Sequence, residues 1–352
     1  MAFPVHRFGP TTVGKLSDPG QIRQLLNDDL LQSQTVIIKP NWVSADPGDF
    51  TDADTLRVLL EALDSRVVVT ESYMLARSLN IHPHGLPFAA NGEEVNWRWL
   101  LQGAGWRWLI NHPDWRWFQG SEHRDQLVRE DQAFLDAKGF TELFDEYDVT
   151  YLNVTEEVWS GRTADPAEVK RAVEACYDPV HCETLYGMVP GKLFDLRGSA
   201  FISLARMKMY ASFTIKNLFG MIPDPLRSYW HGPNNCAVAQ NIVDINKIYH
   251  ALFDLYGVCE ALFSLPVLDV NGQHEGIYSG KYTIHDGTGF VATGRNLAAL
   301  DALLLSLIKP ALCQIADVNR DSIALAPGAL KLEADLDYND EARAEVGGWL
   351  MP

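Results

Sequence analysis

Between positions 35 and 72 the apolar residues change period twice. Thr35-Val36-Ile37-Ile38 is an unbroken, mostly β-branched run, which predicts a strand covered on both faces. It ends at Lys39-Pro40-Asn41, where proline has no N–H to give to a ladder. Leu56, Leu59, Leu60 and Leu63 then recur at helical spacing, and Arg66-Val67-Val68-Val69 returns to the strand pattern before Thr70-Glu71-Ser72. Thr51-Asp52-Ala53-Asp54 resembles a capping box at the helix start. The whole is a β-α-β unit, and its strand-end loops place Lys39, Asn41, Glu71 and Ser72 at one edge of a sheet.

The alternation continues along the chain. A helical pattern covers 131–146, and Val149-Thr150-Tyr151-Leu152-Asn153-Val154 reads as a third strand. A helix near Pro166–Ala175 follows, then a strand at Ala200–Leu204 that runs out into Arg206 and Lys208. Lys216-Asn217-Leu218-Phe219-Gly220 opens the next element, and Pro223-Asp224-Pro225 is a loop. Val238, Ile242, Ile245, Ile248 and Tyr249 are in helical register. Leu255–Cys259 and Gly289–Gly294 complete the strands, with a helix from Leu297 to Ile308 and an acidic tail from Asp335 expected at the surface. The expected class is α/β: a doubly wound, mostly parallel sheet of about six strands with helices on both faces, in a single domain over residues 1–352.

Residues 80–125 break the pattern. Trp-Arg-Trp occurs at Trp97–Trp99, Trp106–Trp108 and Trp115–Trp117. Nine residues at about 100° each put successive motifs on opposite faces of a helix. Short strands, or helix fragments broken at Gly103, Gly105 and Pro113, gather them more easily. This stretch reads as an inserted lid or subdomain. Either its tryptophans form their own small core, or they make a ligand-facing wall with the arginines.

Charge narrows the partners. A formal charge of −17 argues against nucleic acid and anionic membranes, both of which select basic surface. The N-terminal MAFPVHRFGP lacks the apolar run of a secretion signal, and no stretch is long and apolar enough to span a bilayer. The five cysteines form no C-x-x-C pair, so a cytoplasmic setting is expected, without structural zinc or a cysteine-held iron–sulfur cluster. No G-x-G-x-x-G, P-loop or G-x-S-x-G is present, and Gly287-Thr288-Gly289 alone supports no nucleotide. His82 and His84 lack a carboxylate at matching spacing, so no metal is expected. The expected cofactor set is empty.

These pieces resemble a family, domain of unknown function 362. Its pattern has a strand ending in Lys-Pro-Asn, a Thr-Asp helix start and a Glu-Ser turn, matched here by Lys39-Pro40-Asn41, Thr51-Asp52 and Glu71-Ser72. Farther on it has a lysine after a strand and then Lys-Asn-Leu-Phe-Gly, matched by Lys208 and Lys216–Gly220. Ile242-Val243-Asp244-Ile245-Asn246 and the segment from Gly294 to Asp301 are similar to two further family segments. The resemblance spans Thr35 to Ile308, apart from the tryptophan-rich insertion. The chain departs from the family where a histidine often follows the first lysine by two residues, since Tyr210 stands there. It also lacks the ferredoxin-like cysteines of many members, which puts a redox-partner role in doubt.

Lys39, Lys208 and Lys216 each end a strand or open a helix at the same edge of the sheet, so they are expected to converge on one pocket that binds an anion. The plain alternative is that some of them pair with Glu71 or Asp52 and only tie loops together. Asn41 and Asn217 either orient a carbonyl or satisfy loop backbone. Thr51 and Asp52 serve as an N-cap whose helix start could also hold an anion. The acid–base candidates are Lys208, Lys216, His231 and Tyr210. The binding candidates are Lys39, Asn41, Thr51, Asp52, Glu71, Ser72, Asn217 and Arg227.

The leading expectation is a cytoplasmic enzyme of small-molecule metabolism, specialised biosynthesis included, that acts on a carboxylate or phosphate substrate. The reaction would be isomerisation, elimination or condensation by acid–base chemistry without a redox cofactor. The rival is a non-catalytic binding or assembly protein that docks a partner through the Trp-Arg-Trp insertion. A homo-oligomer is compatible with either.

Overall fold

The computed structural model describes residues 3–74, 77, 87–90, 93–96, 122–208, 213–223, 227, 236–276, 280–307, 325–332 and 345–350. Among the described residues the strands are β1 (Val5–Phe8), β2 (Thr11–Lys15), β3 (Thr35–Lys39), β4 (Arg66–Glu71), β5 (Pro87–Ala90), β6 (Glu93–Asn96), β7 (Thr150–Asn153), β8 (Ala200–Arg206), β9 (Asp254–Ala261), β10 (Ser264–Leu268), β11 (His274–Gly276), β12 (Gly280–Asp286) and β13 (Phe290–Gly294). Eight of them form one sheet, in the order β1-β2-β13-β9-β8-β3-β4-β7. From β9 to β7 every neighbouring pair is parallel. On the other side, β13 pairs antiparallel with both β9 and β2, and β1 antiparallel with β2.

The sequence pattern therefore finds the parallel half and β13, but undercounts the sheet. β1 and β2 are short and partly polar, so their strand form comes from pairing with each other and with β13 rather than from an apolar run. The small sheet β10-β12-β11 also escapes the hydrophobic pattern.

Period-two alternation sends neighbouring residues of each strand to opposite faces, and each face carries its own core. Ile37, Val68, Phe201 and Leu255 pack with helices Val154–Trp159, Pro166–Glu174 and Val238–Leu252. Val36, Ile38, Val67, Val69, Ala200, Ile202 and Leu204 pack with helices Ala53–Ala62, Glu122–Ala137 and Phe140–Glu146. The helical pattern over 131–146 is thus two helices, separated at Gly139, whose backbone is left-handed (φ 75°). A third core gathers Phe8, Val13, Cys259, Phe290 and Leu300 around β13. Val346 and Leu350 lie buried in that third core, so this part of the acidic tail is not surface as expected.

Thr51 is not the cap of helix Ala53–Ala62. The Asp52 carboxylate accepts from Thr55 N at 2.8 Å, while the Thr51 hydroxyl accepts from Asn41 N at 2.9 Å and so closes the loop after β3. Gly287 and Gly289 explain the glycine-rich turn into β13. A Cβ at Gly287 would lie 1.9 Å from Leu262 O, and at Gly289, where φ is +71°, 2.1 Å from Leu16 O. Their role is close backbone approach. Of the 80–125 insertion, only the β5–β6 hairpin backbone and the start of helix Glu122–Ala137 are described, and the three Trp-Arg-Trp motifs lie outside the described residues.

Candidate active site at the β3–β8 crevice

The chain lays β4 and β7 outward from β3 in one direction, then returns to place β8 on the other flank of β3. The strand order therefore reverses between β3 and β8. Their carboxyl ends carry Lys39 and the Arg206–Lys208 segment.

On one face of the sheet, the loops after β3, β4 and β8 are tied by a buried polar network centred on Lys39. Its ammonium donates to Glu71 Oε2 at 2.7 Å, Asn217 Oδ1 at 3.1 Å and Pro40 O at 3.1 Å. Asn41 Nδ2 donates to the same Asn217 oxygen at 3.1 Å. Asn217 Nδ2 in turn reaches Lys39 O at 3.1 Å, Ser203 Oγ at 3.2 Å and Leu204 O at 3.3 Å. Asn217 thereby joins β3 to β8 using both ends of its amide. Ser72 Oγ shares its one proton between Gly220 O and Ile222 O, and accepts from the Arg227 guanidinium, which also donates to Ile222 O at 2.9 Å. Gly220 lies so close that a Cβ there would meet Lys39 Nζ at 2.6 Å and Glu71 Oε1 at 2.8 Å. The Lys-Asn-Leu-Phe-Gly motif thus packs its asparagine and its glycine onto the Lys39–Glu71 pair. Burial pushes the Lys39 ammonium down to about 8, against the attraction of Glu71, and Arg227 and Arg77 add to the lowering.

The other face holds a second set of charges. Arg206 donates to Asp52 at 2.8 Å and to Phe50 O at 3.0 Å, and lies 3.7 Å from Glu260. Lys208 pairs with Asp49 Oδ1 at 2.7 Å and donates to Asp49 O at 2.6 Å, and Ser44 holds the other Asp49 oxygen at 2.7 Å. Burial lowers the Lys208 pKa against the pull of Asp49, and raises that of Glu260 against the pull of Arg206. Glu260 Oε1 and Asn41 Oδ1 are buried without a hydrogen-bond partner among the described residues.

Alternation explains the split. Lys39 is in register with Ser203, so the two side chains share a face. Lys208 is five positions beyond Ser203, and the ladder continues through Met207 N to Glu260 O at 2.7 Å, so Lys208 turns to the opposite face. Lys39 and Lys208 end up at one edge but on different sides of it, each beside a carboxylate, so the three lysines do not converge on one pocket as expected: side-chain alternation separates them.

Lys216 differs from both. It lies in the short helix Thr214–Asn217 and is half-buried, and among the described residues its ammonium has neither a hydrogen bond nor an ion pair. Burial lowers it to about 8, with the Lys208 charge the next cause and Asp49 opposing. The segment that carries it is fixed from outside. Asp301 accepts from Thr214 N at 2.9 Å, Thr214 Oγ1 at 2.6 Å and Ile215 N at 2.9 Å, and Asn246 Nδ2 donates to Ile215 O at 2.9 Å. Burial raises Asp301 to about 7, against those hydrogen bonds. Neighbouring residues of this helix therefore serve different clusters: Asn217 locks onto Lys39, and Lys216 stands within the field of Lys208.

Besides Arg206 with Glu260, a further buried charge pair at this edge was not among the expected site residues. Arg77, fully buried, pairs with Asp131, donates to Trp42 O at 3.2 Å and stacks over the rings of Trp42 and Phe134. Asp131 also accepts from Tyr151 at 2.6 Å and Asn153 at 2.8 Å. No local motif marks Arg77, because its partners come from three other segments. Of the expected acid–base residues, Tyr210 and His231 lie outside the described residues.

Among the described residues, no group of three histidine, cysteine or acidic side chains is placed to hold a metal ion. No helix among them is long and apolar enough to cross a membrane. Compared with protein-family models, curated proteins and solved structures, the chain matched none.

Proposed function

We propose that this chain is an enzyme of small-molecule metabolism that binds a carboxylate or phosphate substrate in the crevice between β3 and β8, with Lys216 as the ligand-facing cation. The observation that carries the reading is the isolation of Lys216. Lys39 and Lys208 are matched to Glu71 and Asp49, whereas the half-buried Lys216 ammonium has no partner among the described residues. An anion there relieves its repulsion with Lys208 and completes the charge balance of the edge. The place also fits. In the doubly wound, Rossmann-like reading of the parallel half, ligands bind outside the carboxyl ends of the strands where the order reverses.

In this reading the Lys39–Glu71–Asn217 network sets the distance between the two loops and touches the ligand only through Asn41. Lys216, partly neutral near pH 8, moves a proton in an isomerisation, elimination or condensation, and such proton transfers need no electron carrier. Membership of the domain of unknown function 362 family belongs to the same proposal, supported by the way its Lys-Pro-Asn, Glu-Ser and Lys-Asn-Leu-Phe-Gly segments meet in one network. So does a cytoplasmic location, supported by the free thiols of Cys176, Cys236 and Cys259.

The test is titration with inorganic phosphate and with citrate, followed by calorimetry. Lys216→Met should weaken binding at least about tenfold, or 1.4 kcal/mol. Lys192→Met, at a surface lysine paired with Glu157, should leave it unchanged. Normal binding by Lys216→Met would sink the reading.

A further inference from the structure

We propose that Lys216 is a nucleophilic amine that forms an imine with its substrate, which places the substrate among small carbonyl compounds bearing a carboxylate or phosphate. The inference rests on the reading of this edge as an anion site and adds the reacting group to it.

A lysine needs three things to attack a carbonyl. Its nitrogen must be free of hydrogen bonds, it must be reachable, and a useful fraction must be neutral. Lys216 has no partner among the described residues, and it occupies a half-buried position where Lys39 is enclosed. Its lowered pKa, about 8, meets the third. The cause resembles a known device, burial together with a second cation nearby. Lys208 is that cation, and Asp49 and Ser44 hold it in place so that its charge is fixed.

Lys39 is the internal control. Its pKa is lowered just as far, but only 1% of its surface is exposed, and Glu71, Asn217 and Pro40 take up its hydrogens. A low pKa without access makes a structural lysine. The same shift with access makes a reactive one. Asp301 and Asn246 matter because they fix the helix from which Lys216 projects.

The step balances without a further reagent. The ammonium first gives up a proton to solvent. The nitrogen lone pair then forms the C–N bond while the carbonyl oxygen takes up a proton. That oxygen leaves with a second proton as water, and the protonated imine keeps the single positive charge the ammonium had. The substrate's own anionic group stays within the field of Lys208, and the imine draws electrons from the adjacent carbon, which suits elimination or condensation there.

The experiment uses the whole chain at pH 7 with glyoxylate, the smallest aldehyde that carries a carboxylate. Sodium cyanoborohydride delivers hydride to any imine and traps it as a secondary amine, which peptide mass mapping locates. Lys216 should label roughly tenfold faster than Lys192, because its larger neutral fraction is only partly offset by a less basic nitrogen, and Lys39, equally lowered but enclosed, should stay unlabelled. Phosphate should slow the labelling, and acetaldehyde, which has no anionic group, should label Lys216 more slowly than glyoxylate. Lys216→Arg keeps the charge but cannot form an imine, so it should bind phosphate and lose the label. Labelling of Lys216 no faster than Lys192, or acetaldehyde matching glyoxylate, overturns the imine. If wild type and Lys216→Arg still bind phosphate in that case, the anion site stands without it. Failure of the wild type to bind phosphate overturns both.

Discussion

Glu71→Gln removes the carboxylate from a lysine that has almost no contact with water. In the native chain the Glu71 oxygen lies 2.7 Å from Lys39 Nζ, with 1% of the lysine side chain and 3% of the glutamate side chain exposed. Glutamine keeps the shape and an acceptor for Ser72 N, but leaves the ammonium facing Arg227 and Arg77 without compensation. Breaking such a pair from one side costs about 3–5 kcal/mol. The lysine, already lowered to about 8, can limit the cost by shedding its proton, which takes only about 1.4 kcal/mol at pH 7, so the loss should fall toward the lower end of that range. Lys39→Met should cost about 3 kcal/mol for the reverse reason. The double variant Lys39→Met/Glu71→Gln removes both charges and should cost less than about 2 kcal/mol, a coupling of several kcal/mol. Guanidinium unfolding, followed by the fluorescence of buried Trp42 and Trp159 among the tryptophans, measures all four chains. Single costs that simply add, to within about 0.5 kcal/mol, would refute the pairing as the organiser of the loops.

Gly220→Ala should act on the same pair from outside, because its methyl group would press on Lys39 Nζ and Glu71 Oε1. A loss of about 1–3 kcal/mol is expected, read by the same unfolding assay, and a neutral result would show that the pair yields easily. The lowered lysines also set a pH dependence. Lys39 and Lys216 sit near 8 in the folded chain against an ordinary 10.5, so between those values the unfolded chain binds more protons and stability rises with pH. The burden is fully present below about 8, and each fully buried lysine contributes a slope of at most about 1.4 kcal/mol per pH unit. Lys216→Met should flatten the difference between unfolding curves taken at about pH 8 and pH 10, by less than that limit because Lys216 is not fully enclosed; an unchanged slope would contradict its lowered pKa.

Much of the frame was legible from residues 35–72 alone. A β-branched run, a leucine stripe at helical spacing and a second apolar run specify β3, helix Ala53–Ala62 and β4, because local period and burial agree there. The same logic placed Lys39, Glu71, Lys208 and Lys216 at the carboxyl edge of the sheet, where the structure has them. What it could not place was β1 and β2, whose strand form depends on pairing with β13, more than 270 residues away in sequence. Nor could it see which lysines are free. Strand ends share an edge, but side chains alternate across the sheet, and only the register of Lys39 against Ser203 shows that Lys39 and Lys208 turn to opposite faces. Asn217 lies 178 residues from Lys39 in sequence, and Asp49 lies 159 residues from Lys208. Burial turns each of these meetings into an obligatory pairing, since a charge taken from water must find a partner. Sequence therefore determined which residues reach the edge. Tertiary packing decided that Lys39 and Lys208 are held by Glu71 and Asp49 there, and that Lys216 is left without a partner among the described residues.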